Sequence, residues 1–275
     1  STPVQTKDFT FDLNINLSRN VSKVKELADG VDYLFFNGDA NFPINVGTRV
    51  GHRLGEIYAK NLYKRDENGN MIVNKQGRPT KVSGEDAFQY TLDHPIGNIE
   101  PDLLMSVSPS FTYKGFTLSA LFDMKFGGDI VSVSEAMATS TGLAARTANR
   151  GNAENGWKIV APGVTADGTV NSTAMNAQRY YTSMSGMAEE FVYDASFIKL
   201  KELSLGYSFP KSILKKTPLT SLNVAFVARN LAYLMKHTPG TSPEGGYDTS
   251  MFSQAIDYMS VPYTRTFGLS INLGF

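Results

Sequence analysis

Few residues in this chain stand at spacings that could do chemistry. The run Asp66-Glu67-Asn68-Gly69-Asn70 has the composition of a calcium loop. An EF-hand needs oxygen ligands at its first, third and fifth positions and glycine at its sixth, and Gly69 falls too early for that frame, so a hairpin turn is expected there. The histidines, His52, His94 and His237, are too widely spaced for a short metal-binding pair. A hydrolase would need one of them beside a serine and an acid, and no spacing brings a particular Ser to a particular His. Gly127-Gly128 and the Gly-rich stretch from Gly240 to Gly246 lack the following helix or Lys-Ser/Thr of a phosphate cradle and read as loop punctuation. No catalytic residue, cofactor or metal is expected, and the chain does not read as an enzyme. One aromatic group remains. Trp157, the only Trp, and the pair Tyr180-Tyr181 share one inter-strand stretch and could stack on a sugar ring or meet a partner; the alternative is that they pack their loop onto its support.

The frame that must carry these side chains is written in a period of two. From Phe267 to Phe275 every second residue is apolar, Phe267, Leu269, Ile271, Leu273 and Phe275, with Ser270 and Asn272 between. That is a strand with one greasy face, and a closing strand ending on an aromatic residue has the form found in outer-membrane barrels. The same alternation runs through Phe9, Phe11, Leu13, Ile15 and Leu17. It recurs from Val107 to Tyr113 and from Phe116 to Phe126 across a Lys114-Gly115 turn, then from Phe197 to Phe209, and from Leu222 to Ala228. In the fourth segment Lys199 and Lys201 fall on the same odd-numbered parity as Leu203, Leu205 and Tyr207.

Composition agrees with strands that have one face in lipid. Hydrophobic residues make up 41%, charged residues 19%, and mean hydropathy is -0.20. Nowhere do apolar residues run long enough for a membrane-spanning helix, whereas a barrel exposes only alternate residues to lipid and keeps a soluble-like average. Zero net charge without a basic cluster gives no case for nucleic acid as a partner. The lack of Cys removes disulfides and thiolate chemistry. No signal peptide opens the chain.

The connections alternate long and short. Long loops at 18–103 and 127–196, and a third before the terminal strand, take turns with Lys114-Gly115 and the Pro210 to Thr220 connection, as expected of a barrel with short periplasmic turns and long extracellular loops. Phe9, Tyr113, Phe116, Tyr207, Phe209 and Phe275 would then mark the periplasmic interface, and Phe126, Phe197, Tyr233 and Tyr263 the outer one. About six strands are too few to close a membrane barrel, so the expectation is a piece of a larger one.

Several blocks resemble the C-terminal region of SusC/RagA-type TonB-dependent transporters. They are RDENGN from Arg65 to Asn70, IGNIEPDLL from Ile96 to Leu104, YKGFTLSALFDMKFGGDI from Tyr113 to Ile130, DASFIKLKELSLGYSFP from Asp194 to Pro210, and ARNLAYLMKH from Ala228 to His237. Pro243-Glu244 and the terminal strand follow in the same order. The resemblance implies an all-β fold, an antiparallel transmembrane β-barrel segment with residues 1–275 as the C-terminal part of a roughly 22-stranded barrel. The plug domain and earlier strands would be absent from this chain. It implies import of a nutrient, oligosaccharide or glycan ahead of peptide, at the bacterial outer membrane, with loops extracellular and the C-terminus periplasmic. The partners implied are a SusD-like surface lipoprotein over the loops, the TonB complex acting through the missing plug, and outer-membrane lipid. The barrel-insertion machinery would read the terminal strand. The rival readings are a soluble all-β carbohydrate-binding module and a barrel-embedded hydrolase.

Overall fold

Alternating apolar residues place strands where the period of two runs, and a computed structural model describing residues 1–37, 44–246, 253 and 256–275 shows how they meet. The wall strands are β1 (Val4–Gln5), β2 (Phe9–Ser18), β3 (Leu103–Tyr113), β4 (Phe116–Phe126), β5 (Phe197–Ser208), β6 (Ser221–Lys236) and β7 (Thr266–Gly274). They pair in that order as one antiparallel seven-stranded sheet. All six expected strands are present. The short β1 is an addition, and β6 runs past Ala228 to Lys236.

Register turns six separate stripes into two faces. Phe9, Tyr113, Phe116 and Tyr207 stand side by side and continue into Val224 and Ile271; the next row is Phe11, Phe111, Leu118, Leu205, Phe226 and Leu269. Rings stack across the strands, Phe11 on Phe111 at 4.7 Å and Phe226 on Phe267 at 6.2 Å. The opposite face runs through Thr10, Thr112 and Thr117, and through Asp12, Ser110, Ser119 and Ser204. One face is therefore suited to lipid and the other to water. Between β3 and β4, Lys114 and Gly115 both have positive φ, 47° and 90°, as a two-residue turn matching strand twist requires.

Two bulges overturn the simple parity of the sequence. Glu202 and Lys201 together stand where the partner strand has a single place: pairing passes from Leu121↔Glu202 to Phe122↔Leu200. Beyond that slip Ile198 and Leu200 join the apolar face, and Lys199 and Lys201 move to the polar one, where Lys201 reaches Asp123 at 2.6 Å. On β6 the compensating irregularity includes Asn230 at φ 54°, after which Ala232 faces Leu200 and Tyr233 faces Lys199. Phe197, moved by the slip, and Tyr233, whose odd parity on β6 is opposite to that of Phe226 and Ala232, do not belong to a lipid-side aromatic ring. They stand edge to face at 5.8 Å on the polar side, and Tyr233 lies against the Lys199 ammonium at 5.0 Å.

The long connections are folded. Their own short strands do not join the wall sheet. Strand Tyr33–Asn37 pairs with Ile44–Arg49, which continues through Glu56–Ala59 to Gly97–Asn98. A second small sheet takes one strand from each end of the second connection and one from the third: Asp129–Ser132 pairs antiparallel with Val192–Asp194 and parallel with Ile256–Asp257. One apolar core unites all three connections, with Ile44, Val46, Ile57 and Ile99 from the first, Val131, Val133 and Ala188 from the second, and Ile256 from the third. The result is a cap at the end of the wall opposite the short turns.

Candidate functional site

Two helices of the second connection build a cleft in the cap that holds an aromatic, a guanidinium and amide side chains. Helix α1 (Val133–Thr141) starts because Ser132 stands at its N-cap and its hydroxyl accepts from the Glu135 amide. It stops at Gly142, whose φ of 78° supplies the left-handed C-terminal residue. Helix α2 (Ala177–Met184) is capped by Asn176, whose side-chain Oδ1 accepts from the Arg179 amide. Ala177, Tyr180, Tyr181 and Met184 form its buried face, the spacing of a helix with one apolar stripe.

Arg146 locks the helices together. Its guanidinium donates to Glu190 at 3.1 Å and to the Tyr193 hydroxyl at 2.6 Å, stands 3.7 Å from Glu135, and lies over the Phe191 ring at 5.0 Å. The Tyr181 hydroxyl donates to the Arg146 carbonyl at 3.0 Å. Burial raises the phenols of Tyr180 and Tyr193 to about 12, and it pushes Tyr181 up as well, because a phenolate has no solvent there. These phenols are held neutral and structural.

Beside this locked core is an open cleft of about 420 Å³, lined by Thr139, Arg150, Trp157, Asn176, Gln178 and Tyr181 among others. Trp157 takes a left-handed backbone, φ 55°, held by its amide donating to Asn152 and its carbonyl accepting from Ala177. Its side chain is half-exposed at the cleft while Tyr180 and Tyr181 are buried, so of the three aromatic candidates Trp157 presents most surface. Tyr181 lines the cleft wall, and Tyr180 meets it edge to face at 5.2 Å within the core. Thr139, Arg150 and Gln178 were not singled out by sequence. Tyr180 and Tyr181 could have been placed on a helix from the 177, 180, 181, 184 spacing alone.

The terminal residues Phe267, Leu269, Ile271, Leu273 and Phe275 lie along the outermost wall strand with exposed side chains, Phe275 at 80%. Asp66–Asn70 is a turn: the Asp66 carboxylate accepts from the amides of Asn68 and Asn70 and from the Asn70 side chain, which holds it below the usual carboxylate range. Among the described residues no cluster of His, Cys, Asp and Glu is arranged to hold a metal. The histidines pair with Glu56, the Tyr90 carbonyl and Asp194 respectively, and none bonds to a serine hydroxyl among the described residues.

No family model matches the chain. It is 27% identical over 290 residues to TonB-dependent receptor P3 of Formosa agariphila, a match covering 99% of this chain and 27% of that protein. To TonB-dependent receptor SusC of Bacteroides thetaiotaomicron it is 26% identical over 288 residues, covering 99% of this chain and 25% of that protein. Among solved structures, the RagAB peptide importer in its open-open state superposes with a TM-score of 0.62 at 20% identity, over 100% of this chain and 27% of that one. The closed-closed state of the same importer gives 0.62 at 19% identity. This chain spans about a quarter of the length of the curated relatives it matches.

Proposed function

We propose, with the chain belonging to the SusC/RagA type of TonB-dependent receptor, that it is the C-terminal wall and cap of a transporter importing a nutrient across the outer membrane. The observation that carries this reading is the two-faced wall whose long connections all fold into one cap at the same end. In it the apolar rows meet outer-membrane lipid, the polar face lines the lumen, and the cap is extracellular with the C-terminus periplasmic. A SusD-like lipoprotein covers the cap, and energy comes from the TonB complex through a plug belonging to the remainder of the receptor. The exposed stripe from Phe267 to Phe275 is the segment that the barrel-insertion machinery reads.

Oligosaccharide is favoured over peptide as cargo by the half-exposed Trp157 beside amide and guanidinium groups, a combination suited to a stacked sugar ring with hydroxyls at its edge. Tyr180 and Tyr181 support that surface from beneath. Detecting the polypeptide ending in SINLGF in fractionated membranes tests the transporter reading. An outer-membrane species of roughly 110 kDa, 30.1 kDa divided by 27%, is expected. A soluble species at the 30.1 kDa of this chain would overturn it.

A further inference from the structure

Two arginines of the second connection differ in how they are paired, and one of them lines the cleft beside Trp157. Arg146 is saturated by Glu135, Glu190, Tyr193 and the Phe191 ring. Arg150, one helical turn on, makes only a 2.9 Å bond to the Gly142 carbonyl, and no carboxylate stands within ion-pair distance of it among the described residues. Among the described residues no Asp or Glu lines the cleft. Its other wall is the N-terminal end of α2, where Asn176, Ala177 and Gln178 face the opening, and the positive end of a helix favours an anion. The Gln178 side chain is exposed.

Thr139 lies fully buried beneath the same cleft, at 0% exposure, and its hydroxyl has no hydrogen-bond partner among the described residues. Trp157 adds a costly left-handed backbone at the mouth, where its ring is presented to solvent instead of joining the core.

We propose that this cleft binds one anionic sugar ring, a pyranose bearing a carboxylate or sulfate group, as part of an oligosaccharide. The Trp157 indole stacks on the apolar face of the ring, Arg150 takes the anionic group in a charge-assisted hydrogen bond, and the Gln178 side chain meets ring hydroxyls. A cleft of about 420 Å³ lies within the usual range for small-ligand sites. The inference rests on the glycan reading of the cargo.

Equilibrium binding to the full receptor in detergent tests it, with three probes of equal length: an oligogalacturonate, a sulfated oligogalactoside and its neutral counterpart. An acidic probe should bind more tightly than the neutral one. Arg150→Gln should weaken the acidic probe at least about tenfold, the scale of one charge-assisted bond, and leave the neutral probe unchanged. Tight binding of the uronate alone assigns the anion as carboxylate; of the sulfated probe alone, as sulfate. Equal binding of acidic and neutral probes, both reduced by Trp157→Ala, would overturn the anion preference and leave the glycan reading standing. Binding of none of the sugars, or Arg150-dependent binding of a peptide through its terminal carboxylate, would overturn both.

Discussion

The wall and the cap hold themselves together by opposite means. In the wall, apolar side chains remain at the surface and order comes from the hydrogen-bonded ladder: Phe226 sits in the middle of a strand pairing yet is half-exposed. In the cap, strands are short and the ladder slight, and order comes from burial, as with Phe191, Ile57 and Ile256. A sheet surrounded by lipid gains little from hiding a greasy face, whereas a cap surrounded by water has to bury one.

That contrast breaks most readily through truncation. Phe191→Ala should destabilise the cap by about 3–5 kcal/mol by opening a cavity under Arg146, whereas Phe226→Ala should cost only about 1 kcal/mol, the worth of its stack on Phe267. Denaturant titration of the full receptor, followed by proteolysis of the cap, measures both; equal losses would erase the distinction. Charge sharpens it from the other side. Leu203→Arg, at mid-wall on the apolar face, should cost about 2–4 kcal/mol in a bilayer and reduce the amount of folded receptor in the outer membrane. Ser132→Ala should cost about 1–3 kcal/mol, because it removes the α1 cap and the donor at 2.8 Å to the buried Asp257 carboxylate; earlier proteolysis between residues 133 and 196 would register it. A further effect is absent at neutral pH. Tyr180 and Tyr193 have folded values of about 12 against an ordinary 10.0, so their contribution is complete below pH 10 and is lost as pH rises through 12. The cap should therefore loosen over that interval while the wall persists, with phenolate absorbance and cap proteolysis changing together.

The wall was legible in the sequence because its period is local. Alternation from Phe116 to Phe126 named a strand whose limits the structure reproduces, and Lys114-Gly115 named its turn. The bulge at Lys201 was not legible, because a period of two carries no mark of the place where one extra residue enters, and a single slip moved Lys199 and Phe197 to the other face. The cap was invisible for a different reason. Its central strand, Asp129–Ser132, is too short to show alternation and finds its partners in segments distant along the chain. The cleft was half legible: Trp157 and Tyr181 could be picked out by residue type, but Arg150 gains meaning only when packing brings it to the cleft with no carboxylate beside it among the described residues.

The parallel pairing of Val131 with Ile256 also sets an order of events. A parallel partner cannot be supplied by a hairpin, so the cap has high contact order where the wall is assembled from neighbours. The first two long connections must wait for the third before their shared core can close. A receptor stalled before its last connection is delivered would have most of its fence built and no roof, leaving Ile44, Val46 and Val131 open to proteases and to one another.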